Sequence, residues 1–407
     1  MVKAIYALSA DPITYGHMNI VERTVPLFDE IRVVVANSTR KLNSYTFSLE
    51  ERAEMARHVL IKYGDKVKVE GVSGLLVDYA DEQCIPVMIR SVRDAKDASD
   101  EEVLALTNAA LKKKIQTFFL YADPKLKHVS SSMVKEVQRE QGLVHEFVPL
   151  YVKQKLEERI SGYYLVGATG EIASGKSYIS RLLVKAAGRR GLSGHWINFD
   201  RIGHEILEAA SEPKYVAVRK EIQEKIGNKH GTNLLLPDGT IDRHILGQIV
   251  FQLNNNEDLH TLNGIMHEPM LFRMRRQELP GKKGIIIFDA ALIAETYMSP
   301  ICNNNIILVS TDRKSQRRRL RDKGYSQEKT ERRMGNQYNY SLKHSRLREQ
   351  IEKDDYGHIW TLENPDVESE EDQRALDEQV ETLLDNIIAD LDVKPLPESN
   401  LHTLPSS

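Results

Sequence analysis

The sequence predicts an α/β protein built as two doubly wound parallel-sheet domains. Three observations carry that expectation. Apolar runs of strand length alternate with amphipathic stretches of helix length, and the alternation starts afresh in the second half of the chain. Each half opens with an apolar run leading to a glycine-bearing turn and a helical stretch. The 407 residues suit two to three domains at roughly 100–200 residues each.

In the first half, strands are predicted at 2–8, 31–36, 67–69, 87–89 and 117–121. Helices are predicted between them at 16–27, 48–63, 75–83 and 101–113. Ser130 or Ser131 caps a further helix. After the break at Val148-Pro149 a last helix runs to about Arg159, and the next strand starts almost at once. The boundary is therefore placed near 160, giving domains 1–160 and 163–392 and a Pro- and Ser-rich tail, 393–407, expected to be disordered.

The second half restarts with a strand at 164–167, a helix, and a strand at 195–199. A helical middle region extends from Asp200 to about Glu278. Strands follow at 284–288 and 306–309, then long charged helices over 312–353. Beyond Asn364 the composition turns acidic before an amphipathic helix at 379–391.

Composition narrows the functional classes. A hydrophobic content of 41% and a net charge of −3 describe an ordinary soluble protein without the basic field of a nucleic-acid binder. Cys84 and Cys302 form no CxxC pair and no Cys/His cluster, so a disulfide framework is not expected. No apolar run approaches ~20 residues, so no membrane span is expected. The chain enters a strand immediately, without the apolar core of a signal peptide, and a cytoplasmic protein is the expectation. Oligomeric state stays open.

Two motifs carry chemistry. Gly170-Glu171-Ile172-Ala173-Ser174-Gly175-Lys176-Ser177 satisfies GxxxxGK[ST] between a strand and a helix. Its glycines let backbone N–H groups of Gly170, Ala173, Ser174, Gly175 and the first helical turn, through Tyr178, approach a nucleotide's phosphates. Lys176 would reach the β/γ oxygens and Ser177 would ligate Mg²⁺. Asp200 ends the following strand, where a kinase places a base for an acceptor hydroxyl; a helix N-cap is the competing reading. Asp289 ends a second such strand and could assist the metal. The other motif is Thr14-Tyr15-Gly16-His17, an (H/T)xGH string directly after the first strand. Gly16 allows close approach of phosphate, and His17 supplies a donor as charge builds on a five-coordinate phosphorus.

Residues 1–158 resemble bacterial phosphopantetheine adenylyltransferase, a Rossmann-like nucleotidyltransferase. The resemblance rests on Asp11-Pro12-Ile13-Thr14-x-Gly16-His17, Phe47-Ser48-Leu49-Glu50-Glu51-Arg52, Ile89-Arg90-x-x-Arg93 and Val129-Ser130-Ser131-Ser132 followed by Phe147-Val148-Pro149. It implies direct attack of the phosphate of 4′-phosphopantetheine on the α-phosphorus of ATP. Ser9 and Lys41 would hold the attacking phosphate, Arg90 would touch the same anionic region, and Ser130 and Ser131 would meet the β/γ phosphates. Leu8 and Ser91 stand where that family carries glycine.

Residues 163–360 resemble dephospho-CoA kinase, a P-loop kinase. The carriers are the glycine-rich loop, Asp200 with Gly203-His204, Leu262-Asn263-x-Ile265-Met266-His267, Asp289-Ala290-Ala291-Leu292-Ile293-x-Glu295 and Arg332-Arg333-Met334-x-x-Gln337. The resemblance implies that Asp200 accepts the 3′-hydroxyl proton of dephospho-CoA, while Lys176, Arg317 and Arg321 neutralise phosphate charge. The two resemblances together imply a bifunctional CoA synthase consuming ATP with Mg²⁺. Alternatives are an active kinase with a binding-only first domain, which Leu8 and Ser91 motivate, and a fusion of a nicotinamide mononucleotide adenylyltransferase with a ribosylnicotinamide kinase.

Overall fold

A computed structural model of the protein describes residues 2–37, 44–111, 115–251, 256–335 and 337–394. The chain divides into two compact units, Met1–Ile160 and Ser161–Ser407. Each is built on a five-stranded, all-parallel sheet with helical crossovers.

The first sheet comprises β1 (Lys3–Leu8), β2 (Glu30–Ala36), β3 (Val67–Val72), β4 (Val87–Val92) and β5 (Gln116–Tyr121), in the order β3-β2-β1-β4-β5. Ala4, Ile5, Tyr6 and Ala7 of β1 are all buried, because helices cover both faces of the central strand. Side chains alternate between two cores: Ala4 and Tyr6 pack with Ile31 and Val33, and Ile5 and Ala7 pack with Val34 and Met88. The helix Leu49–Leu60 starts where Ser48 and Glu51 form a reciprocal capping box. The helix expected to begin at Glu101 starts earlier, as Ala95–Leu111.

The second sheet comprises β6 (Tyr163–Gly170), β7 (Gly194–Asn198), β8 (Gly284–Asp289), β9 (Asn305–Ser310) and β10 (His358–Glu363), in the order β10-β9-β6-β8-β7. All eight residues of β6 and all six of β8 are buried, as strands flanked and covered on both sides must be. β10 was not anticipated from the sequence. It is a short edge strand in which Trp360 and Leu362 are buried while Thr361 and Glu363 are exposed. The closing helix Glu370–Leu391 starts well before residue 379, at a Ser369/Asp372 capping box. Its acidic first turn, Glu370, Glu371 and Asp372, suits the positive end of a helix. Leu376, Val380, Leu383, Leu384, Ile387 and Leu391 form its buried stripe.

The helical middle contains the helices Phe199–Glu208, Pro213–Ile222, Arg243–Val250 and Asn256–Arg273, with an antiparallel bridge, Leu235 to Ile241, between the second and third. At the end of the described chain, Val393 packs into the second core, and the Lys394 N–H donates to the Tyr164 hydroxyl at 3.3 Å. The rest of the expected tail lies outside the described residues. Among the described residues no helix is long and apolar enough to cross a membrane.

The amino-terminal edge of the first sheet carries its own charge cluster. Glu30 is held by Arg32 at 2.9 Å, Lys68 at 3.1 Å and Lys3 at 3.6 Å. Hydrogen bonding from Arg32, with help from Lys68 and Lys3, outweighs burial and lowers its carboxyl from 4.5 to about 2. A lowered carboxyl contributes stability that is complete above the unfolded value and lost on acidification. Melting curves of Glu30→Gln against the native chain are expected to differ at neutral pH and to converge as pH falls from 4.5 towards 2.

Candidate active sites

In an open parallel sheet the carboxyl ends of the strands, where successive crossovers leave in opposite directions, form the binding crevice. In the first unit that point lies between β1 and β4, paired through Ala4–Val87, Ile5–Met88 and Tyr6–Ile89. The turn after β1 brings Ser9, Gly16 and His17 there, and Arg90 lies near the end of β4. His17 sits in the first turn of the helix Tyr15–Thr24. Its Nδ1 accepts the Thr14 N–H at 3.0 Å, so in the neutral ring the proton resides on Nε2. A Cβ at Gly16 would meet no heavy atom closer than 3.5 Å, so packing within the protein does not itself demand glycine there.

The serine pair joins the same turn. Ser131 Oγ donates to the Pro12 carbonyl at 2.8 Å, and Ser130 Oγ caps the helix Ser131–Arg139 by accepting the Met133 N–H at 3.2 Å. Both hydroxyls therefore hold structure, and the backbone N–H groups of that helix start are what remain directed by it. Arg90 forms a two-pronged ion pair with Glu101 at 2.5 and 2.7 Å and donates to the Ala7 carbonyl at 3.0 Å. Lys41 lies outside the described residues.

Arg52 was quoted within the adenylyltransferase resemblance but assigned no role. It is almost wholly buried, and its guanidinium donates to the carbonyls of Ser9, Ala36 and Phe47 and to Asn37 Oδ1. One side chain thus ties the turns that follow β1 and β2. A cation on the apolar face of a helix, with Met55, Ala56 and Val59 at helical spacing, was the available signal.

In the second unit β6 runs into the phosphate-loop motif. Gly175 has φ +88°, and a Cβ there would lie 2.0 Å from Asn364 Nδ2; one at Gly170 would lie 2.3 Å from the Val309 carbonyl oxygen. These two glycines are required by the fold itself. Lys176 Nζ lies 3.1 Å from Asp200 Oδ2 and 3.3 Å from Asp289 Oδ1, so the three residues singled out from sequence meet. Burial works against the ammonium, but the two carboxylates prevail and its pKa is raised, so it stays charged through the neutral range. Asn198, not Asp200, caps the helix Phe199–Glu208, accepting the Arg201 N–H at 2.9 Å. Asp200 is therefore not the cap, and its side chain is 46% exposed at the site. Asp289 is wholly buried. Ser177 lies in the first turn of the helix Lys176–Arg189, and the Tyr178 hydroxyl bonds Gln373 at 3.2 Å.

The arginine that reaches the loop is Arg319. It donates to the carbonyls of Ala173 and Ser174, both at 3.2 Å, and to those of Asn364 and Pro365. Arg317 instead pairs with Glu331 at 2.9 Å, and Arg321 is exposed on the same helix, Arg313–Asp322. A run of arginines does not reveal which one faces inward. Asn364 also donates to the Ser174 carbonyl at 2.7 Å, from the segment after the unanticipated β10. Lys343, likewise unassigned from sequence, is fully buried against Glu295 at 2.6 Å and the Ala291 carbonyl at 2.7 Å. A cavity of about 550 Å³ is lined by Asn263, His267, Leu292, Glu295, Tyr297 and Tyr338, among others.

Fold and sites together define a protein of two α/β units, each with a glycine-bearing turn at the carboxyl edge of a parallel sheet. The family model described as cytidylyltransferase-like matches residues 6–137, and the dephospho-CoA kinase model matches residues 164–355. The phosphopantetheine adenylyltransferase of Dictyoglomus turgidum is 43% identical over 159 residues, 39% of this chain and 98% of that protein. The phosphopantetheine adenylyltransferase of Petrotoga mobilis is 41% identical over 157 residues, 39% of this chain and 95% of that protein. A solved dephospho-CoA kinase from Campylobacter jejuni aligns at 20% identity and a TM-score of 0.30, over 56% of this chain and 97% of its own. The chain belongs to the phosphopantetheine adenylyltransferase family through its first half, fused to a second half of the dephospho-CoA kinase family.

Replacing Arg52 by alanine leaves the buried Phe47 carbonyl and the part-buried Ser9 and Ala36 carbonyls without this donor. A loss of roughly 3 kcal/mol is expected, read as a lower urea midpoint with unchanged slope.

Proposed function

We propose that the chain catalyses two consecutive transfers: adenylyl transfer from ATP to 4′-phosphopantetheine in the first unit, then 3′-phosphorylation of the resulting dephospho-CoA in the second. The observation that carries the second step is the meeting of Lys176, Asp200 and Asp289 at the head of the phosphate loop. For the first step the support is the helix-borne His17 at the sheet's crevice, together with the family of that half.

In the first unit a phosphate oxygen of 4′-phosphopantetheine attacks the α-phosphorus of ATP, and pyrophosphate leaves. His17, its Nδ1 occupied by Thr14, presents Nε2–H to a non-bridging oxygen as charge accumulates there. Phosphate over the turn supplies the reason for glycine at 16 that internal packing does not. Ser9, Lys41 and Arg90 are assigned to the attacking phosphate. Arg90 exchanges its Glu101 partner for that anion, and Ser130 and Ser131 offer the N–H groups of their helix start to the leaving phosphates.

In the second unit the ribose 3′-hydroxyl attacks the γ-phosphorus of a second ATP, its proton passes to Asp200, and ADP leaves. The exposure of Asp200 leaves its carboxylate within reach of an acceptor. Backbone N–H groups from Gly170 to Tyr178, with Lys176, hold the phosphates. Arg317 and Arg321 are assigned to the mobile phosphate charge, and Arg319 to the shape of the loop. A Mg²⁺ ion fits the oxygen donors Ser177 Oγ and Asp289, whose Oδ1 is buried without a hydrogen bond. Bound there, it would neutralise charge on the β- and γ-phosphates. Cytoplasmic placement, among soluble substrates, belongs to the same proposal.

Mass-spectrometric product analysis of the purified chain with ATP, Mg²⁺ and either acceptor tests the reading. CoA is expected from both acceptors. His17→Ala should reduce turnover of 4′-phosphopantetheine by about 10²–10³ while sparing dephospho-CoA. Asp200→Ala should let dephospho-CoA accumulate, with a loss of about 10²–10⁴ in the second step. CoA formed from dephospho-CoA alone would leave a kinase joined to a unit that only binds.

A further inference from the structure

We propose that Trp196 is a positioning residue of the second site, orienting the Asp289 carboxylate through its indole N–H and steadying Ser177 through Arg181. This inference rests on the phosphotransfer reading of that site and on Mg²⁺ as the ion it takes. It concerns a residue to which neither sequence motif gives a role.

β7 and β8 run side by side with Asn198 opposite Asp289 and Trp196 opposite Ile287. Trp196 and Asn198 therefore point to the same face of the sheet, and the indole lies beside the end of β8. Its Nε1–H donates to Asp289 Oδ2 at 3.1 Å. Asp289 is wholly buried, and its other oxygen, Oδ1, makes no hydrogen bond and lies 3.3 Å from Lys176 Nζ. A carboxylate pinned at one oxygen by a rigid ring can present only the other to the phosphate loop.

The same indole is engaged on its face. The Arg181 guanidinium lies 5.4 Å from the ring centroid, within the range of a cation–π contact. Arg181 Nε donates to the Ser177 carbonyl at 3.2 Å. Trp196 therefore connects the strand that carries Asp289 with the helix turn that carries Ser177, the two residues to which the metal is assigned. Groups that orient metal ligands in this manner alter metal affinity by about 10- to 100-fold when removed. Phenylalanine, valine or isoleucine would fill the position on the sheet, but none offers a donor to Asp289.

The test uses the full chain with Trp196→Phe, which keeps a ring beneath Arg181 and removes the N–H. The Mg²⁺ concentration giving half-maximal phosphorylation of dephospho-CoA is expected to rise about tenfold, with KM for dephospho-CoA and the adenylyl-transfer step unchanged. A second readout needs no turnover. The chain has two tryptophans, Trp196 and Trp360, so its indole N–H resonances are a pair that the variant assigns. In the native chain with ADP, adding Mg²⁺ should move the Trp196 resonance and leave that of Trp360 in place. An unchanged Mg²⁺ requirement in the folded variant overturns the proposal, as does a Trp196 resonance indifferent to Mg²⁺. If the variant does not fold, the native resonances decide, assigned instead through Trp360→Phe. A native chain that phosphorylates nothing at any Mg²⁺ concentration overturns the functional reading itself and the inference with it.

Discussion

Both sites depend on strands that have no solvent-facing side. β1 and β6 are hydrogen-bonded on both edges and covered on both faces, so each residue added to them must be apolar or small. Such a strand cannot fold back beside itself in a parallel sheet. The chain must leave at the carboxyl end, turn, and return as a helix. Turns that carry polar chemistry and helix starts that carry unpaired N–H groups are thereby collected at one edge of each sheet. Arg52 on one sheet and Arg319 on the other then fix the turns by donating to backbone carbonyls rather than to carboxylates alone.

Several cations assigned to phosphate are already paired with carboxylates. Lys176 is shared by Asp200 and Asp289, Arg90 is gripped by Glu101, and Arg317 is paired with Glu331. On the proposed roles each group is oriented before an anion arrives, and binding would be an exchange of one anionic partner for another. For the part-buried Lys176 and Arg90, an exchange of that kind avoids a stage at which the cation stands without an anionic partner. It also explains why a strongly basic composition is not needed: the chain carries a net charge of −3, and its phosphate chemistry depends on placement rather than on a general field.

Much of the molecule was legible in its sequence because the informative segments are the most constrained ones. The buried strands read as unbroken apolar runs, and the phosphate loop leaves little freedom in residue type. What escaped notice did so for identifiable reasons. β10 has only two buried apolar positions, too few to separate it from a loop, and with it went the role of Asn364. The acidic start of the last helix read only as an acidic stretch ahead of a helix at 379–391, although acidic residues belong at a helix start. Among the three successive arginines of the Arg313–Asp322 helix, 317 to 319, only three-dimensional packing distinguishes Arg319. Buried Lys343 and Arg52 look like surface charges until the helix face that carries them is known.

The first sheet separates two kinds of work along the length of the same strands. Its amino edge is held by the Glu30 cluster with Arg32, Lys68 and Lys3, while its carboxyl edge carries the turn with His17. Substitutions at the amino edge act on the folding equilibrium without touching the groups proposed to meet substrate. For a lineage of such proteins this is a form of insurance. Stability gained at one end of the sheet can absorb the damage of new substitutions at the other, so substrate preference has room to drift while the scaffold survives.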